Sequence, residues 1–450
     1  MLPLVENFVT KIKRIINKAP FKKKKEHVAL PDNYAKYQDL QPKQADRNLK
    51  YGLGFIVLSC VIVIIYLLLS VVIAVYQYNP KEFPNTKKDI TSLSTDENKK
   101  TILIIALDRV DDNHLFVDGL AVLNYDYISK KTAIFTVNSD LKVYSNILEK
   151  DVVIRTAFND INDKSIQVSV MTNLVETLLS LKIDNYVIID LQTFNKVSKY
   201  VPLFKMQLDR PLKDPDTVTL PNKEYKEWGG GEQFIKGGDL IEFLASNNNG
   251  RDEQLNRQGY TMKNLMENIT NVAFLSNIPK IIQELDTSYF YTDLTKEQML
   301  IFLWNLSQTR DSDFKIGYTK SSTYTNIHAV SYYSVYIPNY VLLDQDVSSV
   351  FADLNIFREQ ARIELLNGSS VLGLASNRAR WISNAGGVII KVGNSYENEK
   401  TTKIYCANYK NFPYTIKEIQ RIFDYNVQLI TKDYTGRHVG DIVVVIGDSH

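Results

Sequence analysis

Residues 101–140 read TILIIALDRVDDNHLFVDGLAVLNYDYISKKTAIFTVNSD. Thr101–Leu107 is a continuous apolar run, as a buried strand requires. A polar loop, 108–114, follows it. Gly119–Tyr125 and Thr132–Val137 are two further strands, and the short turn 126–131 makes them a hairpin. An antiparallel meander of the three puts the end of the first, the start of the second and the end of the third on one sheet edge. That edge collects Asp108, Asp118 and Asp140. Adjacent carboxylates repel; a hard cation such as Mg²⁺ relieves this and keeps positions open for phosphate oxygens. Asp108 and Asp118 are thus a candidate metal pair. The competing reading is that aspartates cap loops and turns through local hydrogen bonds.

Downstream the periods alternate. Helical spacing runs over Ile166–Leu181, strand character over Tyr186–Asp190, and helical spacing again over Thr193–Tyr200, Leu240–Ala245, Glu253–Ala273, Ile278–Leu285 and Lys296–Leu306. This is an α/β domain, residues 101–315, with a mixed central sheet. In it the polar loop from Asn247 to Arg251 opens a helix, with Asp252 in the position expected of an N-cap. Arg257 falls off the Leu255/Met262 stripe, so it is either a phosphate fork or one half of a surface ion pair; Gln258 follows it. Residues 316–357, rich in Tyr, Ser and Thr, read as a connector. Residues 358–450 carry the order β-α-β-β-α-β and fit a small ferredoxin-like α+β domain without a catalytic constellation.

Upstream, thirty residues between Lys50 and Lys81 carry no charge. Roughly twenty apolar residues cross a bilayer as a helix, so 51–78 is expected to be a single transmembrane helix. The leader, 1–50, holds twelve Lys/Arg against five Asp/Glu and stands at +7. That bias holds a flank in the cytoplasm and places the C-terminal domains outside. Residues 2–18 have the pattern of a basic amphipathic helix lying on anionic lipid, and 79–100 read as a polar linker. The whole chain is +2, which leaves 81–450 at −5; a mildly acidic outer part argues against nucleic acid as a partner. Cys60 falls in the uncharged run and Cys406 in an expected strand, so no disulfide joins them. The five His show no metal-ligand spacing. There is no His-Glu-x-x-His, no Gly-x-Ser-x-Gly and no phosphate loop.

Basic leader, single span, ILIIALD, D118-GLAVLNYD, TAIFTVNSD, IDNYVIIDLQTFNKVSKYV and FIKGGDLIEFLASNNNGRDEQLNRQ, in this order, resemble the LytR-CpsA-Psr family over about Thr101–Leu306. Residues 360–450, with ARIELLNGSSVLGLASNRARWISNAG and DIVVVIGDS, look like the LytR C-terminal domain. The resemblance implies an envelope phosphotransferase that moves a glycopolymer from a polyprenyl pyrophosphate carrier to peptidoglycan, using Mg²⁺ and a group of arginines. It implies Asp108 and Asp118 as metal ligands, Asp252, Arg257 and Gln258 as catalytic, and Arg257, Gln258 and Arg109 on the pyrophosphate. It also implies membrane lipid as a partner and the cell membrane as location. Five positions depart from the pattern: Phe116, Ser139, Ala245, Asn247 and Gln254 stand where the family has arginine, with Arg109, Lys142 or Arg251 as substitutes within reach in sequence. Loss of one transition-state donor costs roughly 100- to 1000-fold in rate. The alternative reading is therefore a catalytically impaired binding, scaffold or regulatory module, the regulatory form acting through the 1–50 leader.

Overall fold

The computed structural model describes residues 70–71, 73–84, 99–111, 114–161, 163–213, 226–268, 271–330 and 333–448. The amphipathic helix expected at 2–18 and residues 51–69 of the expected span, with Cys60, lie outside them. Among the described residues no helix is long and apolar enough to cross a membrane.

The expected meander is present. Strands β1 (Lys99–Arg109), β2 (Leu115–Asp126) and β3 (Lys131–Thr136) pair antiparallel in sequence order, with the hairpin closing at Asp126 opposite Lys131. They are joined by β4 (Asn185–Asp190), β5 (Phe290–Thr292) and β6 (Phe314–Tyr318) in a six-stranded mixed sheet of order β5-β4-β1-β2-β3-β6. β4 lies parallel to β1 and β6 parallel to β3. The sheet is apolar on both faces because both are covered. Leu103, Ile105, Leu120, Val122 and Phe135 pack with helix α1 (Gln167–Leu179) on one face. Ile102, Leu123, Tyr125 and Ile134 pack on the other with Met266 of α3 (Arg251–Glu267) and with Phe302 and Leu306 of α4 (Lys296–Leu306). Each such side chain, once buried, stabilises by ~1.5–3 kcal/mol. Between α1 and α3 in sequence lies α2 (Leu240–Ala245), whose Leu240 and Phe243 join a satellite core with Phe204, Met206 and Trp228.

The stretch 316–357, read as a connector, is built into this domain. It supplies most of β6, and α5 (Tyr340–Phe351) places Leu343, Val347 and Val350 in the main core. The linker 79–100 is likewise docked at its start, where Phe83 enters the same core and its amide donates to the Tyr186 hydroxyl at 3.1 Å. In both places alternating or isolated apolar residues in a polar sequence found a neighbour that periodicity alone does not show.

The C-terminal domain is a five-stranded sheet of β7 (Arg362–Asn367), β8 (Val388–Asn394), β9 (Thr402–Tyr405), β10 (Val427–Ile430) and β11 (Ile442–Ile446), with α6 (Leu374–Asn384) and α7 (Pro413–Ile422). Its order is β8-β7-β11-β9-β10. This corrects the ferredoxin-like expectation. A ferredoxin-like sheet separates the strands of each β-α-β pair; here β7 and β8 are parallel neighbours, as are β9 and β10. The fully buried strand β11 enters the centre and takes the place between the pairs.

The two domains share buried polar contacts. The last carbonyls of α1 accept from the C-terminal domain: Leu178 O from Arg380 at 3.2 Å and Leu179 O from Asn384 at 2.9 Å. Helix ends leave such carbonyls without intrahelical partners, so a neighbouring domain caps this one. Arg421 of α7 adds a buried pair to Asp184 at 3.2 Å, just before β4.

Candidate functional site

Asp118 reaches the site through a fault in the sheet. Ala106 pairs with Gly119 and Leu107 with Val117, so Asp118 is one extra residue in β2. A bulge re-aims side chains. Leu115 and Val117 before it and Leu120 and Val122 after it all enter the same core, although their parity differs. Without the extra residue Asp118 would continue the parity of Leu120 and point into that core. With it, Asp118 turns to the opposite face, which is also the face of Asp108, since Leu103, Ile105 and Leu107 occupy the core side of β1. Gly119 permits the close pairing: a Cβ there would stand 3.0 Å from that of Ala106.

The aspartates do converge. Desolvation, and then the charge of Asp118, push the Asp108 carboxyl up from its ordinary range, while Arg155 opposes the shift. Arg155, in the turn after the strand Lys150–Val153, stands between the others: its Nη1 is 3.3 Å from Asp118 Oδ1 and its Nε donates to Asp140. Its backbone amide donates to Ser139 O at 2.7 Å. Burial draws the Arg155 guanidinium down, but the hydrogen bonds and charges of Asp140 and Asp118 outweigh it and hold it above its usual value. A second guanidinium approaches from α3. Arg251 Nη2 lies 3.5 Å from Ser139 Oγ and Nη1 donates to Gln254 Oε1 at 2.7 Å, while its buried Nε has no partner. Burial lowers its pKa against the pull of Asp140 and Asp118. Two arginines therefore meet at Ser139, Arg155 through its backbone amide and Arg251 through its guanidinium.

The other expected residues lie elsewhere. Asp252 is not the N-cap; that position is Gly250 at φ 98°, conformationally open to glycine. Two residues further on, Asp252 accepts from the Ser321 amide at 2.8 Å and its hydroxyl at 2.9 Å, fixing the turn before residues 324–330. Arg257 is buried under α2: Nε donates to Phe243 O at 2.9 Å, Nη2 donates to Ser246 O, and the guanidinium lies 5.4 Å over the Phe243 ring. Gln254 donates to Ala245 O at 2.8 Å, and Gln258 reaches Leu244 O at 3.4 Å. The three side chains cap the C-terminal end of α2. Burial lowers the Arg257 pKa to about 10, with Glu253 opposing; its buried Nη1 has no partner. Arg109, next to Asp108 in β1, takes the other face, where it pairs with Asp190 at 3.0 Å and lies 4.9 Å over the Tyr289 ring. Lys142 pairs with Asp151 at 3.0 Å.

Among the described residues no group of three or more His, Cys, Asp and Glu is placed to hold a metal. A carboxylate whose ionisation is made costlier by burial and by a second carboxylate beside it still fits Mg²⁺. That ion takes one or two carboxylates and fills its octahedron with water and phosphate oxygens.

Fold and site together define an α/β domain with an acidic, arginine-flanked sheet edge. Residues 65–345 match the LytR_cpsA_psr family, and the chain belongs to that family. No curated protein matches it. It is similar to the solved structure of Bacillus subtilis TagV at 16% identity and TM-score 0.45, covering 56% of this chain and 96% of that one. Protein gbs0355 of Streptococcus agalactiae matches at 13% identity and TM-score 0.43, covering 55% and 88%. TagT bound to LIIa-WTA matches at 11% identity and TM-score 0.42, covering 58% and 90%.

Proposed function

We propose that the chain is a membrane-anchored transferase that moves a glycopolymer from a polyprenyl pyrophosphate carrier to peptidoglycan on the outer side of the cell membrane. The observation that carries this reading is the convergence of Arg155 and Arg251 on the edge formed by Asp108, Asp118, Ser139 and Asp140. Phosphoryl transfer needs positioning and charge neutralisation more than covalent chemistry. In the proposed reaction an acceptor hydroxyl of peptidoglycan attacks the sugar-proximal phosphorus. The bond from that phosphorus to the bridging oxygen breaks, and prenyl phosphate leaves with the electron pair, while the proton of the attacking hydroxyl passes to the departing phosphate or to water. Asp108 and Asp118 would hold Mg²⁺, which neutralises phosphate charge. Arg155, already fixed between Asp118 and Asp140, is oriented for one phosphate; Arg251, with a donor left over, is available to the other.

A second reading is favoured by a specific observation. Arg257 and Gln254, at the family's catalytic helix, are engaged by carbonyls of α2. That leaves a site able to bind a pyrophosphate without turning it over. Incubation of the full chain in detergent with a prenyl-pyrophosphate-linked saccharide, a peptidoglycan acceptor and Mg²⁺ separates the two. The transferase reading expects release of prenyl phosphate that Asp118→Ala abolishes. Saturable binding with no release, under conditions where an active family member works, establishes the binding module instead.

A further inference from the structure

Helix α4 carries apolar residues well beyond the side it buries. Phe302 and Leu306 face the core at 6% and 2% exposure, while Leu300, Ile301, Leu303 and Trp304 stand 41–56% exposed. On a 100° helical wheel these four lie within one arc, and the only charged residues on that side, Lys296 and Glu297, are at the N-terminal end. A surface helix ordinarily turns a polar face to water; this one leaves an aliphatic and indole surface there.

The uncharged run of residues 51–80 ends against this helix. Lys296, at the first helical position of α4, donates to Tyr76 O at 3.0 Å, reaches Asn79 Oδ1 at 3.5 Å, and lies 5.4 Å over the Tyr76 ring. Residues 70, 71 and 73–77 are helical, Tyr78 is buried, and Lys81 O accepts from Thr292 at 2.8 Å. Tyr76 and Ile73, at 78% and 52% exposure, extend the apolar surface toward the chain that precedes it. Residues 76–80, at the end of the run, are therefore fastened to the domain at the base of α4.

We propose that the outer face of α4 rests on the lipid of the outer leaflet, with Trp304 at the headgroup level. This rests on the reading of 51–78 as a transmembrane helix. Interfacial apolar faces bury by roughly 5–10 Å, and indoles are favoured at that depth. Being 11 residues long, α4 can lie flat as a contact of about 16 Å. The contact fixes the domain's orientation relative to the membrane rather than leaving it to swing from the span.

The full chain has three tryptophans, and the other two, Trp228 and Trp381, are 8% and 5% exposed. Only Trp304 is placed to meet acyl chains. The test reconstitutes the full chain into phosphatidylcholine–phosphatidylglycerol vesicles with bromine on the acyl chains, selects outward-facing protein, and excites at the indole edge. Quenching relative to unbrominated vesicles, lost in Trp304→Phe and lost when Leu300→Glu and Ile301→Glu are combined, supports the contact. Both charged substitutions are at exposed positions, and circular dichroism verifies their fold. Equal quenching in wild type and Trp304→Phe, or none in either, overturns it. Carbonate washing and flotation separate the premises. A chain that floats without Trp304 quenching is anchored but does not rest on α4; a chain that washes off overturns the span and this proposal with it.

Discussion

Arg155 Nη1 lies 3.3 Å from Asp118 Oδ1, so a guanidinium from the turn after the strand Lys150–Val153 is fixed against the bulged residue of β2. The same side chain donates to Asp140, which makes it the bridge between β2 and the loop after β3. If the proposed reaction uses this edge, Arg155→Ala lowers the rate of prenyl phosphate release by roughly 100- to 1000-fold. Arg155→Lys keeps the charge without the planar fork and recovers only part of it. Rates measured with saturating Mg²⁺, on protein whose circular dichroism is unchanged, check this.

Arg257 holds α2 in place by donating to the carbonyls of Phe243 and Ser246. Its removal leaves buried acceptors unpaired, each costing about 1–3 kcal/mol. Arg257→Met is expected to lower unfolding free energy by ~2–4 kcal/mol in a urea titration. A loss of activity with unchanged stability would instead assign Arg257 directly to substrate.

Gly259 allows α3 to approach β3 and β6. A Cβ there would come within 2.7 Å of Ile316 Cγ2 and 3.8 Å of Thr136 Cγ2. Gly259→Val must displace that strand side chain and is expected to cost about 1–3 kcal/mol by overpacking, read as a lower thermal midpoint. The paired change Ile316→Ala makes room for the new side chain and should return part of it.

Asp293 accepts from the Tyr186 amide at 2.9 Å, and burial pushes its carboxyl up to about 6 despite that bond. Its unfolded value is near 3.9. The folded state therefore binds its proton more tightly, and the stability this adds is present below pH ~4 and lost as the pH rises through about 6. The contribution is on the order of 1–3 kcal/mol. Asp293→Asn should flatten that part of the pH–stability curve while keeping the acceptor for Tyr186, which chemical denaturation between pH 4 and 7 would show.

Arg421 pairs with Asp184 across the two domains, both of them buried. Removal of one partner of a buried pair costs ~3–5 kcal/mol because the other charge remains buried. Arg421→Met is expected to release the C-terminal domain, seen as faster proteolysis between α5 and β7; the double change with Asp184→Asn should be milder than either alone.

The meander and its acidic edge were legible because strand periodicity and antiparallel pairing are local rules. Apolar runs at 101–107, 119–125 and 132–137 fixed the pairing, and the pairing put Asp108, Asp118 and Asp140 at one end. Arg155 was not legible. It follows a four-residue strand in a polar stretch, and only the fold of residues 142–156 back onto Ser139 brings it to the edge. The connector reading of 316–357 failed for a similar reason, since β6 joins β3 across 177 residues or more of intervening chain. The C-terminal topology could not be read from element order, because β11 enters between pairs that precede it.

By itself the sequence determined the uncharged run, the charge on its leader, the α/β class and the three aspartates, all of which follow from composition and short-range period. Only the tertiary structure decided which cations meet those aspartates. A guanidinium is placed by the packing of the element that carries it, so Arg155 and Arg251 reach the acidic edge, Arg257 caps a helix, and Arg109 crosses to the opposite face of the sheet beside Asp108.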